Sequence, residues 1–259
     1  MVAAALVVAA VVGADAARDP TRSSRPRELD KTYDADFDYF VYTMTWPGTF
    51  CEEKHCTKEP RYFTVHGLWP NYENGKWPAF CNSSYPFDEN EIEDLLPVMN
   101  EVRFQFSTQR PHQRLEPLPF FPGNLTGTKL SSQRWPDVLS SHEGDWLWSH
   151  EWDKHGTCAK PVLNGEHEYF AKALELYDIL NPTEVFAQNG MIPSNTRTYD
   201  RDQVISVLTK SFGDTFVIGC QESGKDLFQI EFCLQKDFQG RNCGKSANSN
   251  CSSRIRIPN

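Results

Sequence analysis

Eight cysteines behind an apolar leader constrain this chain more than any other feature of its 259 residues. Val2 to Gly13 is apolar, and Ala14-Asp15-Ala16 has the small–x–small form of a cleavage site. Residues 1–16 therefore read as a secretory signal, although no Lys or Arg precedes the apolar run. As a helix that run spans roughly 20 Å against a hydrocarbon core of about 30 Å, so no membrane anchor is expected. Cysteines exported by such a signal pair into disulfides. Eight of them allow 105 pairings, and spacing alone does not choose among these. A zinc cluster would be another use for so many thiols, but the chain has no tight Cys-x-x-Cys pair.

The chemistry concentrates in Trp148-Ser149-His150-Glu151-Trp152-Asp153-Lys154-His155-Gly156-Thr157-Cys158. If residues 149–155 are helical, Glu151 and His155 stand four apart with Lys154 on the same face. His150 and Lys154 form a second four-apart pair, and Gly156 is placed to stop the helix. Each residue alone could belong to a solvated helix face carrying a Glu–Lys pair. Together, between tryptophans, they bring a base, an acid, a cation and a second imidazole to one patch. A zinc helix would set its histidines four apart on one face. His150 and His155 are five apart, roughly 140° round the helix, with Lys154 where the second ligand would stand. No metal or other cofactor is expected.

The second stretch is Phe63-Thr64-Val65-His66-Gly67-Leu68-Trp69-Pro70-Asn71. A short β-branched run enters His66, and Gly67 and Pro70 are expected to break it, placing His66 at a strand end. A histidine there and another on the helix are the minimum for a general acid and a general base. His-Gly-Leu-Trp-Pro at 66–70 and His-Glu-Trp-Asp-Lys-His-Gly-Thr-Cys at 150–158 resemble the two active-site segments of the ribonuclease T(2) family, the acid endoribonucleases of secretory compartments. The similarity runs from about Asp38 to the C-terminus, apart from one insertion.

That resemblance implies a catalytic set of His66, His155, Glu151 and Lys154, with His155 as base and His66 as acid in the first step. Glu151 and Lys154 would stabilise and orient the charged phosphoryl group, and His150 would help hold it. It also implies the disulfides Cys51–Cys56, Cys81–Cys158, Cys220–Cys251 and Cys233–Cys243. Trp69 is a candidate to stack a base, with Asn71 beside it for an edge contact, although a tryptophan before proline is as often a core residue. The reaction expected is transesterification of single-stranded RNA to a 2′,3′-cyclic phosphate and then a 3′-phosphate, with no action on DNA and none on membranes. A storage or defence relative without activity would have lost a histidine, and a pollen-recognition ribonuclease would tend to be basic. This chain keeps both histidines and carries a net charge of −9 with a sequence pI near 5.3. Such a chain cannot hold long RNA by bulk charge, so its substrate must be gripped locally.

The remainder reads as one α+β domain over residues 36–259, with an antiparallel sheet, packed helices and a disulfide frame. Residues 17–35 are charged and aperiodic, a flexible mature N-terminus. Both alternating sets in Phe37 to Trp46 are bulky, which suits a central strand covered on both faces, and Pro47-Gly48 ends it. Asp88 is placed to cap a helix from Glu89 to about Val102, with Ile92, Leu95, Leu96 and Met99 inward and Pro97 within it. Residues 103–133, broken by Pro111, Pro117, Pro119, Pro122, Gly123 and Gly127, read as an inserted surface loop or as retained intron sequence.

Glu166 to Leu180 reads as a core helix on Phe170, Leu174, Tyr177 and Ile179, with a short helix opening at Pro182 and another over Asp200 to Phe212. Thr215 to Cys220, Asp226 to Gln235 and Arg254 to Ile257 read as strands. Sequons at Asn82, Asn124 and Asn250 suit a glycosylated monomer that is secreted or sent to the vacuole, and disulfide formation at Cys251 competes with modification of Asn250.

Overall fold

In a computed structural model of the chain, residues 36–99, 133–139, 145–244 and 250–259 are described. The expected secretory signal (1–16) and N-terminal arm (17–35), the sequon at Asn124 and nearly all of the expected insertion at 103–133 lie outside them. Strand β1 (Tyr39–Thr45) is the spine of the fold, and its alternation explains why. Phe40, Tyr42 and Met44 enter the main core from one face, each 0% exposed. Thr43 on the other face is also 0% exposed, so the strand is covered on both sides as its sequence requires. Antiparallel neighbours β2 (Thr64–Asn71) and β5 (Leu227–Leu234) flank it, and β4 (Phe216–Cys220) completes the order β2-β1-β5-β4.

Pro47 does more than end β1. Its fixed φ and missing N–H suit the first position of a helix, and helix α1 (Pro47–Glu53) starts on it. The expected helix over 89–102 is not continuous. A 3-10 turn occupies Glu89–Ile92, with the Asp88 side chain accepting from the Asn90 N–H, and helix α2 (Leu96–Met99) begins afresh. Pro97 accounts for the break, because it cannot donate to a preceding turn but is tolerated in the first turn of a new helix.

Helix α3 (Trp146–Lys154) carries the expected site residues His150, Glu151 and Lys154, and α4 (Glu166–Ile179) supplies a large part of the core. Two buried tyrosines tie α4 to β1 and to the entry of β2: Tyr42 of β1 donates to the Ala173 carbonyl at 2.9 Å, and Tyr177 of α4 donates to the Phe63 carbonyl at 3.1 Å. Ile179, expected inward, is 63% exposed. It lies two residues past Tyr177, about 200° round the helix, so both cannot face the sheet. Helices α5 (Pro182–Gln188) and α6 (Arg201–Phe212) follow, α6 capped by the Asp200 carboxylate.

A second, two-stranded sheet joins β3 (Ser194–Asp200) to β6 (Arg254–Ile257). Arg254 to Ile257 is thus a strand as expected, but it lies outside the main sheet. All four disulfides are Cys51–Cys56, Cys81–Cys158, Cys220–Cys251 and Cys233–Cys243, and no described cysteine is free. Cys81–Cys158 closes a separation of 77 residues and fixes the loop after β2 to the end of the active-site helix. Replacing both of its cysteines by serine is expected to lower unfolding free energy by about 4.5 kcal/mol, the loop-entropy value for such a span, as read by denaturant titration. No described helix is long and apolar enough to cross a membrane.

Candidate active site

The first histidine is placed by a bulge. Thr43 of β1 pairs with Gly67 and Met44 with Val65, so His66 is the extra residue of β2 and its side chain is re-aimed out of the regular alternation. The expectation that Gly67 and Pro70 end the strand is overturned, because β2 runs on to Asn71. It can do so because β2 is an edge strand, where a proline without an N–H costs no ladder bond. On its outer side the Val65 N–H donates to the Arg134 carbonyl at 2.8 Å, and Trp135 Nε1 donates to the His66 carbonyl at 3.1 Å. Trp135 therefore holds the bulge.

The second histidine is placed by α3. Trp148, Glu151 and Trp152 form its buried stripe. Trp148 Nε1 donates to the Trp135 carbonyl (2.8 Å) and Trp152 Nε1 to the Tyr85 carbonyl (2.9 Å), which fixes the helix rotation. His155 caps α3, its N–H donating to the Glu151 carbonyl at 3.1 Å. Gly156 does not act as a left-handed stop, since it is absent from the positive-φ glycines. It is needed because a Cβ there would overlap the Trp152 ring as the chain turns into the 3-10 segment Gly156–Cys158.

Glu151, His66, Trp69 and His155 meet round one indole. Trp69 Nε1 donates to Glu151 Oε2 at 2.7 Å, and Glu151 Oε1 lies 3.8 Å from His66 Nε2. The Trp69 ring is edge-on to His66 (centroids 5.1 Å apart, 80° between planes) and tilted over His155 (5.2 Å, 32°). Trp69, half-buried, is thus a spacer between the imidazoles and an anchor for Glu151. Asn71 turns its amide back to the Trp69 carbonyl at 3.2 Å. His150 stacks parallel on Trp146, 5.1 Å between centroids and 5° between planes. The helix period brings Trp146 to His150 as it brings His150 to Lys154, so the same four-residue spacing carries the signal for Trp146. Trp135 gave no such local signal, since it lies 69 residues from the carbonyl it binds.

Burial sets the protonation states. Desolvation first, then the positive fields of Lys154, His150 and His66, lowers His155 to about 3. Desolvation, with His150 and Lys154, lowers His66 to about 4, although 39% of its side chain stays open to solvent. Glu151, 1% exposed, is pushed up to about 8 by burial, against the opposing pull of Trp69 and Lys154. Although Glu151 stands one turn from His155, its side chain reaches His66 and Trp69, leaving Lys154 as the first charge felt by His155. His66 and Glu151 must be taken as a pair. Between about pH 4 and about pH 8 that pair holds one proton, which rests on Glu151 3.8 Å from His66 Nε2, while His155 is neutral throughout. Nδ1 of each imidazole is enclosed and without a partner among the described residues, which leaves Nε2 as the nitrogen each can present. Among the described residues no group of three or more His, Cys, Asp or Glu could hold a metal ion.

Gly67 is part of the site by lacking a side chain. A Cβ there would overlap the Glu151 carboxyl and the Trp69 indole nitrogen. Gly67→Ala is therefore expected to displace both groups and to lower kcat/KM on RNA by about 10² with the secondary structure retained, as read by steady-state kinetics beside circular dichroism.

Residues 37–115 and 126–243 match the model of the Ribonuclease T2 family. The chain is 34% identical over 214 residues to ribonuclease T2 of Danio rerio, covering 80% of this chain and 73% of the relative. To ribonuclease 1 of Arabidopsis thaliana it is 30% identical over 234 residues, 86% of this chain and 87% of the relative. Among solved structures, RNase NT in complex with 5′-AMP superposes with a TM-score of 0.67 at 29% identity, covering 86% of this chain and 98% of that one.

Proposed function

The chain belongs to the Ribonuclease T2 family, and on that premise we propose how its site cleaves RNA. His155, neutral above about pH 3, takes the proton of the 2′-hydroxyl. The freed oxygen attacks the adjacent phosphorus in line. The P–O bond to the 5′-oxygen breaks, and that oxygen takes the proton held by the His66–Glu151 pair through His66 Nε2. A 2′,3′-cyclic phosphate and a 5′-hydroxyl result. In the second step the two histidines exchange roles, and water opens the ring to a 3′-phosphate. Lys154 and His150 stabilise the phosphoryl charge; one such donor is typically worth about 10²–10³ in rate. Glu151 keeps the proton of the pair available and Trp69 holds the three groups in register.

The observation that carries this reading is the placement of both imidazoles about one indole, at 5.1 and 5.2 Å, with a buried carboxyl hydrogen-bonded to the same ring. RNA supplies its own nucleophile, so no ion is required. Activity on RNA is expected to survive EDTA undiminished and DNA to remain intact. Loss of activity that zinc restores, or DNA cut at a comparable rate, would refute the mechanism.

The apolar leader and four disulfides support a secreted or vacuolar location for a monomer. Glycans belong on this reading at Asn82 and Asn124. At Asn250 a glycan competes with the side-chain amide's pairing to both backbone groups of Cys220, at 2.8 and 2.7 Å.

A further inference from the structure

The tryptophans of α3 do two different jobs. Trp148 and Trp152 are 3% and 2% exposed, and each indole N–H is spent on a backbone carbonyl that fixes the helix rotation. Trp146, the first residue of the helix, is 45% exposed. It stands two residues before Trp148, about 200° round the helix, so its ring cannot join the buried stripe. As a helix former alone it would be bettered by alanine. Its ring lies on His150 instead, with the two planes 5° from parallel and the centroids 5.1 Å apart. A four-residue step sets one ring over the other, and the next such step leads to Lys154.

His150 in turn stands close to both reacting imidazoles. Behind desolvation its positive charge lowers His66, and behind desolvation and Lys154 it lowers His155. A parallel indole does two things for such a ring. It removes alternative orientations of the imidazole, so less freedom is lost when a phosphate is bound. Its electron-rich face also attracts a cation, so the ring is held most firmly in the form that grips a phosphate. We propose that Trp146 is a positioning residue for the cleavage reaction, its exposed indole holding the His150 imidazole in the plane from which it meets the scissile phosphate. The proposal rests on the reading of the chain as a ribonuclease with His150 as a phosphate donor. It gives the outward face of α3 a stripe of its own, Trp146 orienting His150 one turn before Lys154.

The test uses the full chain, with inorganic phosphate binding followed by calorimetry and kinetics measured on a defined dinucleotide. Phosphate carries no base, so its affinity reports the charge donor and not a contact of the indole with RNA. Trp146→Ala and Trp146→Leu are each expected to weaken phosphate binding about 10-fold and to lower kcat/KM by a similar factor, while Trp146→Phe recovers most of both. In a His150→Ala background Trp146→Ala should change neither quantity, because the ring it positions is gone. Thermal unfolding should find every variant folded, since the indole is exposed; Trp146→Leu, which keeps apolar bulk without a ring face, separates lost stacking from lost packing. Wild-type phosphate affinity in Trp146→Ala or Trp146→Leu would overturn the proposal. So would an equal loss from Trp146→Ala with and without His150, which would mean that the indole acts on its own. A chain that leaves the dinucleotide uncut, yet loses phosphate affinity in Trp146→Ala only when His150 is present, would support the positioning role and overturn the ribonuclease reading instead.

Discussion

His155→Ala and His66→Ala are each expected to lower kcat on RNA by about 10²–10⁴ with the fold intact, the usual worth of a positioned base or acid. The structure gives the reason for pairing them. Each imidazole lies against the same Trp69 ring, so the proposed base and the proposed acid stand on either side of one side chain. The double variant is expected to be little worse than either single one, because a base without an acid leaves the 5′-oxygen a poor leaving group. Neither substitution removes a tie that positions β2 or α3, since the hydrogen bonds of these residues to Trp135 and Glu151 are made by backbone atoms. Circular dichroism and thermal unfolding beside kinetics would separate lost chemistry from lost structure. Wild-type turnover in folded His155→Ala would remove α3 from the mechanism.

Glu151→Gln is expected to narrow the pH window from its alkaline side. In the wild type the base is neutral above about pH 3 and the acid pair is loaded up to about pH 8, so kcat/KM should be bell-shaped between limbs near those values. Glutamine removes the carboxyl that can hold the pair's proton, and His66 alone keeps one only up to about pH 4. The alkaline limb should then move down toward that value, and activity at about pH 6 should fall on the order of 10² while the acidic limb stays. A profile that drops in height without moving its limb would mean that Glu151 orients the site and does not store its proton.

Features set by short-range pattern were legible in the sequence. The His-x4-His stretch with its tryptophans announces α3, the doubly bulky Phe37 to Trp46 announces β1, and Asp88 caps as its position suggests. What escaped depends on neighbours distant in the chain. Ser194–Asp200 is polar and mostly exposed, and it is a strand because Arg254–Ile257 pairs with it. Gly67 and Pro70 look like strand breakers until β2 proves to be an edge, where no partner asks for the proline's missing N–H. Helix periodicity correctly groups Glu151 with His155, but it cannot reveal that the carboxyl turns to Trp69, 82 residues earlier. Trp69 itself shows the limit: spacing offered a base-stacking residue or a core residue, and the structure makes it the spacer between two imidazoles.

The most direct measurement is a product time course on a defined dinucleotide in EDTA, run beside the same dinucleotide methylated at the 2′-oxygen next to the cleaved bond. The account predicts that a 2′,3′-cyclic phosphate and a free 5′-hydroxyl appear first, that a 3′-phosphate follows at the expense of the cyclic product, and that the methylated compound stays whole. Cleavage of the methylated dinucleotide, or a 5′-phosphate product from the unmethylated one, would contradict it, since either requires a nucleophile other than the substrate's own 2′-oxygen.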